Sequence, residues 1–95
     1  IFTTGGTGLG PRDITPEATV AVVDKLVSGI PTAMLLGGLK NTPHAMLSRA
    51  VAGVRKETLI INLPGSPKAV KEGLDFILTA IPHAVEVIRN KTLIS

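Results

Sequence analysis

Cysteine, tryptophan and tyrosine are absent from this sequence, and its only aromatic residues are Phe2 and Phe76. Without cysteine there is no disulfide framework, no thiolate zinc site and no thiol nucleophile. That composition fits a reducing compartment, and a cytoplasmic protein is expected. Without aromatic bulk, the core has to be built from Val, Ile, Leu, Ala and Met. No apolar run approaches the ~20 residues of a membrane-spanning helix, so no membrane span is expected. Nor are Lys and Arg massed anywhere: ten of them against seven Asp and Glu give a net charge of +3. A mild positive balance, with few rings to stack on bases, argues against a nucleic-acid partner and suits a small anionic ligand better.

What is present is enough for one domain. The chain has 95 residues, of which 44% are hydrophobic, which excludes disorder as the default state. Ten Gly and seven Pro mark frequent turns. The sequence opens at Ile1 inside an apolar, β-prone segment, so residues 1–95 are expected to be a partial domain, a piece of a longer protein.

The richest stretch is IFTTGGTGLGPRDITPEAT at the start. An extended lead-in (Ile1 to Thr4) runs into the glycine-rich turn Gly5, Gly6, Thr7, Gly8, Leu9, Gly10. A helix start follows, with Thr15 as N-cap, Pro16 at the first helical position and Glu17 in the first turn. Strand, glycine turn and helix N-terminus in this order build an anion site, because glycine lets backbone N–H groups approach a phosphate closely. The glycines alone read as a tight turn. The loop is neither a Walker A motif nor the dinucleotide fingerprint. With Arg12 as a cation, and with Asp13 and Thr15 beside it, a phosphate site becomes the better reading. Asp13 is either an acid favoured by the helix dipole or a ligand to Mg²⁺, which binds through one or two carboxylates plus substrate phosphates.

Along the rest of the chain, residues 16–28 read as a helix with Val20, Val23 and Val27 on one side, closed by Gly29. Residues 30–36 fit either a buried helix or a strand, and Gly37 and Gly38 interrupt them. Thr42–Pro43 opens a short helix over 43–48. Residues 50–63 form a hairpin turning at Arg55–Glu57, with Leu59, Ile60 and Ile61 in a strand buried on both faces. Ser66 caps a helix from Pro67 to about Thr79, and a last helix starts at Pro82 with Ala84, Val85 and Ile88 on its apolar side. The alternation predicts an α/β fold, three-layered and mostly parallel. In such sheets ligands sit beyond the carboxyl ends of the strands, so the GGTG and NLPGS turns are expected to face one pocket.

Other candidates have plain readings beside the functional ones. Ser48 and Arg49 end a helix or present a hydroxyl and a guanidinium to an anion. Asn62, Pro64, Gly65 and Ser66 make a strand-to-helix turn or a second anion-contacting one. His44 and His83 are isolated and read as surface residues. Lys68 and Lys71 read as a solvated helix face. No Ser/His/Asp triad and no zinc-ligand cluster assembles.

The segments GGTGLGPRDITPEAT, TPHAMLSR and GVRKETLIINLPGSPKAV resemble the molybdopterin adenylyltransferase family, and most of all its eukaryotic gephyrin branch. The resemblance runs from Ile1 to about Arg89. It implies a MogA-like molybdopterin-binding fold whose N-terminal strands, with a second functional acid, lie outside this sequence. It also implies molybdenum cofactor biosynthesis: AMP passes from Mg-ATP to the terminal phosphate of molybdopterin and pyrophosphate is released. ATP and molybdopterin are then substrates and Mg²⁺ the cofactor. On that resemblance Asp13 is the catalytic acid and metal ligand. Gly5, Gly6, Thr7 and Gly8 cradle phosphate, Thr15 and Glu17 border the nucleotide, and Ser48, Arg49, Asn62, Pro64, Gly65 and Ser66 line the pterin and its phosphate. The full domain is expected to be a homotrimer working with a fused or separate molybdenum-insertase domain, and the chain alone is expected to be inactive. The non-catalytic alternative is a trimerising scaffold module of a gephyrin-like protein.

Overall fold

The computed structural model describes residues 1–90. Its elements in chain order are β1 (Phe2–Thr4), α1 (Thr15–Val22), β2 (Lys25–Leu26), α2 (Gly29–Leu39), a 3-10 turn (Pro43–Leu47), β3 (Ala52–Arg55), β4 (Thr58–Leu63), α3 (Pro67–Ile77) and α4 (Ile81–Ile88). None of the helices among the described residues is long and apolar enough to cross a membrane.

The four strands lie in the order β1-β4-β3-β2. β1 runs parallel to β4, with Thr3 opposite Asn62. β3 and β4 form the antiparallel hairpin, and its turn takes Lys56 to φ 53. β2 adds to β3, also antiparallel. The fold is α/β as expected, but the sheet is mixed rather than mostly parallel. A two-residue reversal at Lys56–Glu57 leaves no room for a crossover, so these strands must pair antiparallel.

The side chains of a strand alternate between faces, and that alternation sets the layers. Leu59, Ile61 and Leu63 of β4 and Ala52 and Val54 of β3 point to one face, where with Ile77 they form the buried core. α2, α3 and α4 cover it with Ile30, Met34, Val70, Leu74, Ala84 and Ile88. Val85, expected beside them, is partly buried. The opposite face carries Asn62 and Gly53 and lies under α1, through Thr19 and Val23. Helices therefore flank both faces of the sheet. The run Leu59–Ile61 is only partly buried on both faces: Leu59 and Ile61 are in the core, whereas Ile60 is intermediate.

Two element boundaries differ from the sequence pattern, each for a tertiary reason. The first helix stops at Val22 instead of Ser28, because Asp24 N–H donates to Val54 O at 2.7 Å and Val27 N–H to Ala52 O at 2.8 Å. Pairing along the edge of β3 outweighs a weak helical preference in a Val-rich segment. Val27 thereby joins the core as part of the strand side, and Val20 stays half-exposed. Gly29 begins α2 instead of closing α1, and α2 continues through Gly37 and Gly38. A Cβ at Gly37 would run into the ring of Phe76, and one at Gly73 would lie 3.3 Å from Met34 Sδ. These glycines let α2 and α3 pack closely; they do not break the helix.

Candidate functional site

The glycine turn begins where β1 ends. Gly5 and Gly6 take φ of 83° and 71°, the left-handed region that glycine reaches without strain. Gly5 N–H donates to Leu63 O at 3.0 Å, which extends the parallel pairing by one residue. It also brings the first turn against the second, since a Cβ on Gly65 would lie 3.5 Å from Gly5 Cα. The GGTG and NLPGS turns thus touch at the carboxyl end of the β1–β4 pair, where an α/β sheet places its ligand.

Asp13 closes the turn from within. Its Oδ2 accepts from Gly10 N–H at 2.9 Å, and Asp13 N–H donates to Gly10 O at 3.0 Å. A Cβ at Gly8 or Gly10 would come within 2.9 or 3.0 Å of the same oxygen. The half-buried carboxylate is therefore closely wrapped by the Gly8–Gly10 backbone. Thr15 is the first residue of α1, not its cap: Ile14 holds the cap position without a side-chain bond. Thr15 instead packs its hydroxyl against Gly6 and donates its N–H to Gly6 O at 3.1 Å.

Arg49 binds this loop from the far side. Nε donates to Gly8 O at 2.8 Å, and the terminal nitrogens donate to Asp13 O at 2.5 Å and to both carboxylate oxygens of Glu17. Its backbone N–H donates to Thr7 O at 2.8 Å. The hydrogen bond from Arg49 is the main reason that the Glu17 carboxyl sits below its usual pKa, and the same bond raises that of the guanidinium. Arg49 was expected to meet a ligand anion. Its donors instead brace the glycine turn on α1, and Glu17 is the counterion that orients them. Arg12 stands exposed on the outside of the loop.

Asn62 is also placed differently from expectation. It is fully buried. Its Oδ1 accepts from Val51 N–H at 3.2 Å, and Nδ2 donates to Thr3 Oγ1 and Thr19 Oγ1, both at 3.0 Å. Its amide is spent inside the fold, tying β1, β4 and α1 together beneath the turn.

Ser48, Pro64 and Ser66 do come together. They line a cavity of about 540 Å³ between α2, the 3-10 turn and the start of α3, whose walls include Met34, Leu35 and Ala45. Ser66 caps α3 by accepting from Ala69 N–H at 3.4 Å. Ser48 accepts from Ala50 N–H at 3.3 Å. Gly65 opens on a second cleft with Thr4 and Lys71. Glu17 and Arg49 border a third groove on the α1 side. The expected residues thus form a loop cluster and an adjacent cavity, with the contact between the two turns as the hinge of the arrangement. Thr42, His44 and Glu72 also line the cavity; the sequence reads Thr42 as a helix start and His44 as a surface residue, and gives Glu72 no role. His44 lacks a sequence partner, and Glu72 lies among lysines on a face that reads as solvated. Lys68 and Lys71 are indeed exposed, with Glu72 and Asp75 four residues on.

Among the described residues no three His, Asp or Glu side chains gather as a metal cage. The donor set fits Mg²⁺ in its other mode, one carboxylate supplemented by substrate phosphates and water. Of the two acids at the loop, Glu17 is taken by Arg49, which leaves Asp13 as the candidate for that mode.

The sequence pattern described as "Probable molybdopterin binding domain" matches residues 1–83. A relative named gephyrin, from Dictyostelium discoideum, is 56% identical over 91 residues, covering 96% of this chain and 13% of that protein. A molybdopterin adenylyltransferase of Helicobacter pylori is 50% identical over 88 residues, covering 93% of this chain and 50% of the enzyme. The solved molybdopterin biosynthesis Mog protein of Mycobacterium ulcerans superposes with a TM-score of 0.92 at 48% identity, covering 95% of this chain and 59% of that one. The chain spans half the length of the Helicobacter enzyme.

Proposed function

This chain belongs to the family of molybdopterin-binding domains involved in molybdenum cofactor biosynthesis, and from that premise we propose that it is part of a molybdopterin adenylyltransferase. The observation that carries the proposal is the contact between Gly5 and Gly65, which sets the Asp13 loop beside the Ser48–Ser66 cavity. In the proposed reaction a phosphate oxygen of molybdopterin bonds to the α-phosphorus of ATP. The bond from that phosphorus to the bridging oxygen breaks, and pyrophosphate leaves with the electron pair. Phosphoryl chemistry of this kind depends on positioning and charge neutralisation. Mg²⁺, when bound, neutralises the phosphates and polarises them.

Each residue then has a part. Asp13 supplies the metal-facing carboxylate, and Gly5, Gly6, Thr7 and Gly8 shape the backbone against phosphate. Thr15 fixes Gly6, while Arg49 and Glu17 keep the loop in place from behind. Ser48, Pro64 and Ser66 line the pterin side. The remaining half of the relatives' length is proposed to complete the catalytic unit, so the chain alone is inactive. A trimeric assembly belongs to the same proposal. It is supported by exposed apolar side chains on α2 and the 3-10 turn, Leu36, Leu39, Met46 and Leu47, of the kind that partners cover. A cytoplasmic setting, where ATP is supplied, goes with it.

The test is molybdopterin-dependent pyrophosphate release from ATP by the full-length protein. Release that requires Mg²⁺ and disappears in Asp13→Asn supports the proposal. Equal release without molybdopterin refutes it.

A further inference from the structure

Among the described residues, the cavity between α2 and α3 has a single charged side chain on its wall. Glu72 faces it among Met34, Ser48, Pro64 and Ser66, and its side chain is only 28% exposed. The helical turn that carries Glu72 cannot drift from the cavity, because the next residue, Gly73, is buried against Met34. Among the described residues Glu72 pairs with Lys68, with Nζ 4.0 Å from Oε1 and a side chain 82% exposed. An ammonium so solvated is a weak tether. The carboxylate is therefore held at an apolar wall with acceptor capacity to spend. An anionic ligand group would be repelled there. A flat heterocycle presenting two parallel N–H donors would be drawn to it, as carboxylates are to guanidinium.

We propose that Glu72 recognises the 2-amino and adjacent ring N–H edge of a pterin, accepting both hydrogen bonds. This rests on the reading of the cavity as a pterin site and adds the residue that selects the heterocycle. It also sets the ligand's direction. The pterin ring lies toward Glu72 and α3, and its phosphate end points away from that charge, toward Ser48. Ser48 is the neighbour of Arg49, which braces the Asp13 loop, so the phosphate end is delivered toward the side where adenylyl transfer takes place.

The probes are a pterin bearing a phosphomonoester side chain and the lumazine with the same side chain, in which an oxo group replaces the 2-amino group. Each is titrated calorimetrically into this chain and into its Glu72→Gln variant, with melting curves as a check on folding. The wild type should bind the pterin more tightly than the lumazine by about tenfold or more, as expected when hydrogen bonds to a charged acceptor are lost. Glu72→Gln should bind the two alike. Selectivity retained in the variant overturns the role of Glu72 and leaves the pterin site standing. Equal binding of both probes by the wild type overturns it without recourse to any variant. No binding of either probe removes the pterin site and this inference together.

Discussion

The guanidinium of Arg49 lies 2.5 Å from the carboxylate of Glu17, a residue 32 positions earlier, and from there it also reaches the carbonyls of Gly8 and Asp13. One side chain thus fixes both ends of the segment that presents Asp13. A lysine has a single compact donor group and cannot span these acceptors. Arg49→Lys in the full-length protein should lower kcat by up to about a hundredfold, the scale of a small misplacement of reacting groups, with KM for molybdopterin nearly unchanged. A rise in KM at constant kcat would instead return Arg49 to direct ligand contact.

The same pair makes the loop acid-sensitive. The Glu17 carboxyl is depressed below its ordinary value of 4.5, chiefly by the hydrogen bond from Arg49. A depressed carboxyl contributes fully above its ordinary pKa and loses that contribution as pH falls through the folded value. The pair is exposed, so global stability should hardly register it, whereas the loop should. Amide NMR signals of Gly8 and Asp13 are expected to shift as pH drops below 4.5, and to lack that step in Glu17→Gln. Identical titrations of the two proteins would show that the pair does not brace the loop.

Asn62 predicts a stability effect instead of a binding one. Asn62→Ala leaves Val51 N–H without its acceptor and removes the donor to Thr3 Oγ1 and Thr19 Oγ1. An unsatisfied buried group costs about 1–3 kcal/mol, and urea unfolding should show a loss on that scale. A variant of undiminished stability with weakened pterin binding would place Asn62 in the ligand site after all.

Gly6 is constrained twice, by φ of 71° and by the Thr15 hydroxyl where a Cβ would go. Gly6→Ala should destabilise the fold by about 1–3 kcal/mol. Removing the obstruction in Gly6→Ala/Thr15→Ala should recover the steric share of that loss, read as a positive coupling in a thermal-unfolding double-mutant cycle. Strict additivity would mean that the left-handed backbone alone dictates glycine.

Local signals were legible where short-range chemistry decides. The Ile1–Thr4 strand, the glycine turn, the reversal at Lys56 and the Ser66–Pro67 helix start are all written within a few adjacent residues, and the structure has each of them. What escaped the sequence depends on distant partners. β2 exists because β3 offers its edge to residues 24–27. α2 passes through Gly37 and Gly38 because Phe76 packs on the first and Ala45 on the second. The inward turn of Asn62 is masked by the run Leu59–Ile61, which hides the alternation that puts Asn62 under α1. Arg49 looks like an anion ligand until Gly8, 41 residues away, is seen to claim its Nε.

Asp13→Asn is expected to separate binding from turnover. Asp13→Asn keeps the shape of the side chain and its bond from Gly10 N–H but removes the charge a metal needs. In the full-length protein it should abolish adenylyl transfer and leave pterin affinity largely intact, the pattern of an interaction used in the transition state. Unchanged turnover would take Asp13 out of the mechanism.

The two glycine turns and the cavity beside them are proposed to form a pterin and nucleotide site. Calorimetric titration of this chain with molybdopterin and with ATP, each with and without Mg²⁺, tests this proposal most directly. Molybdopterin should bind to the chain as it stands, and ATP should bind more tightly with Mg²⁺. Heat-silent titrations with both ligands, by a chain shown to be folded, would contradict it.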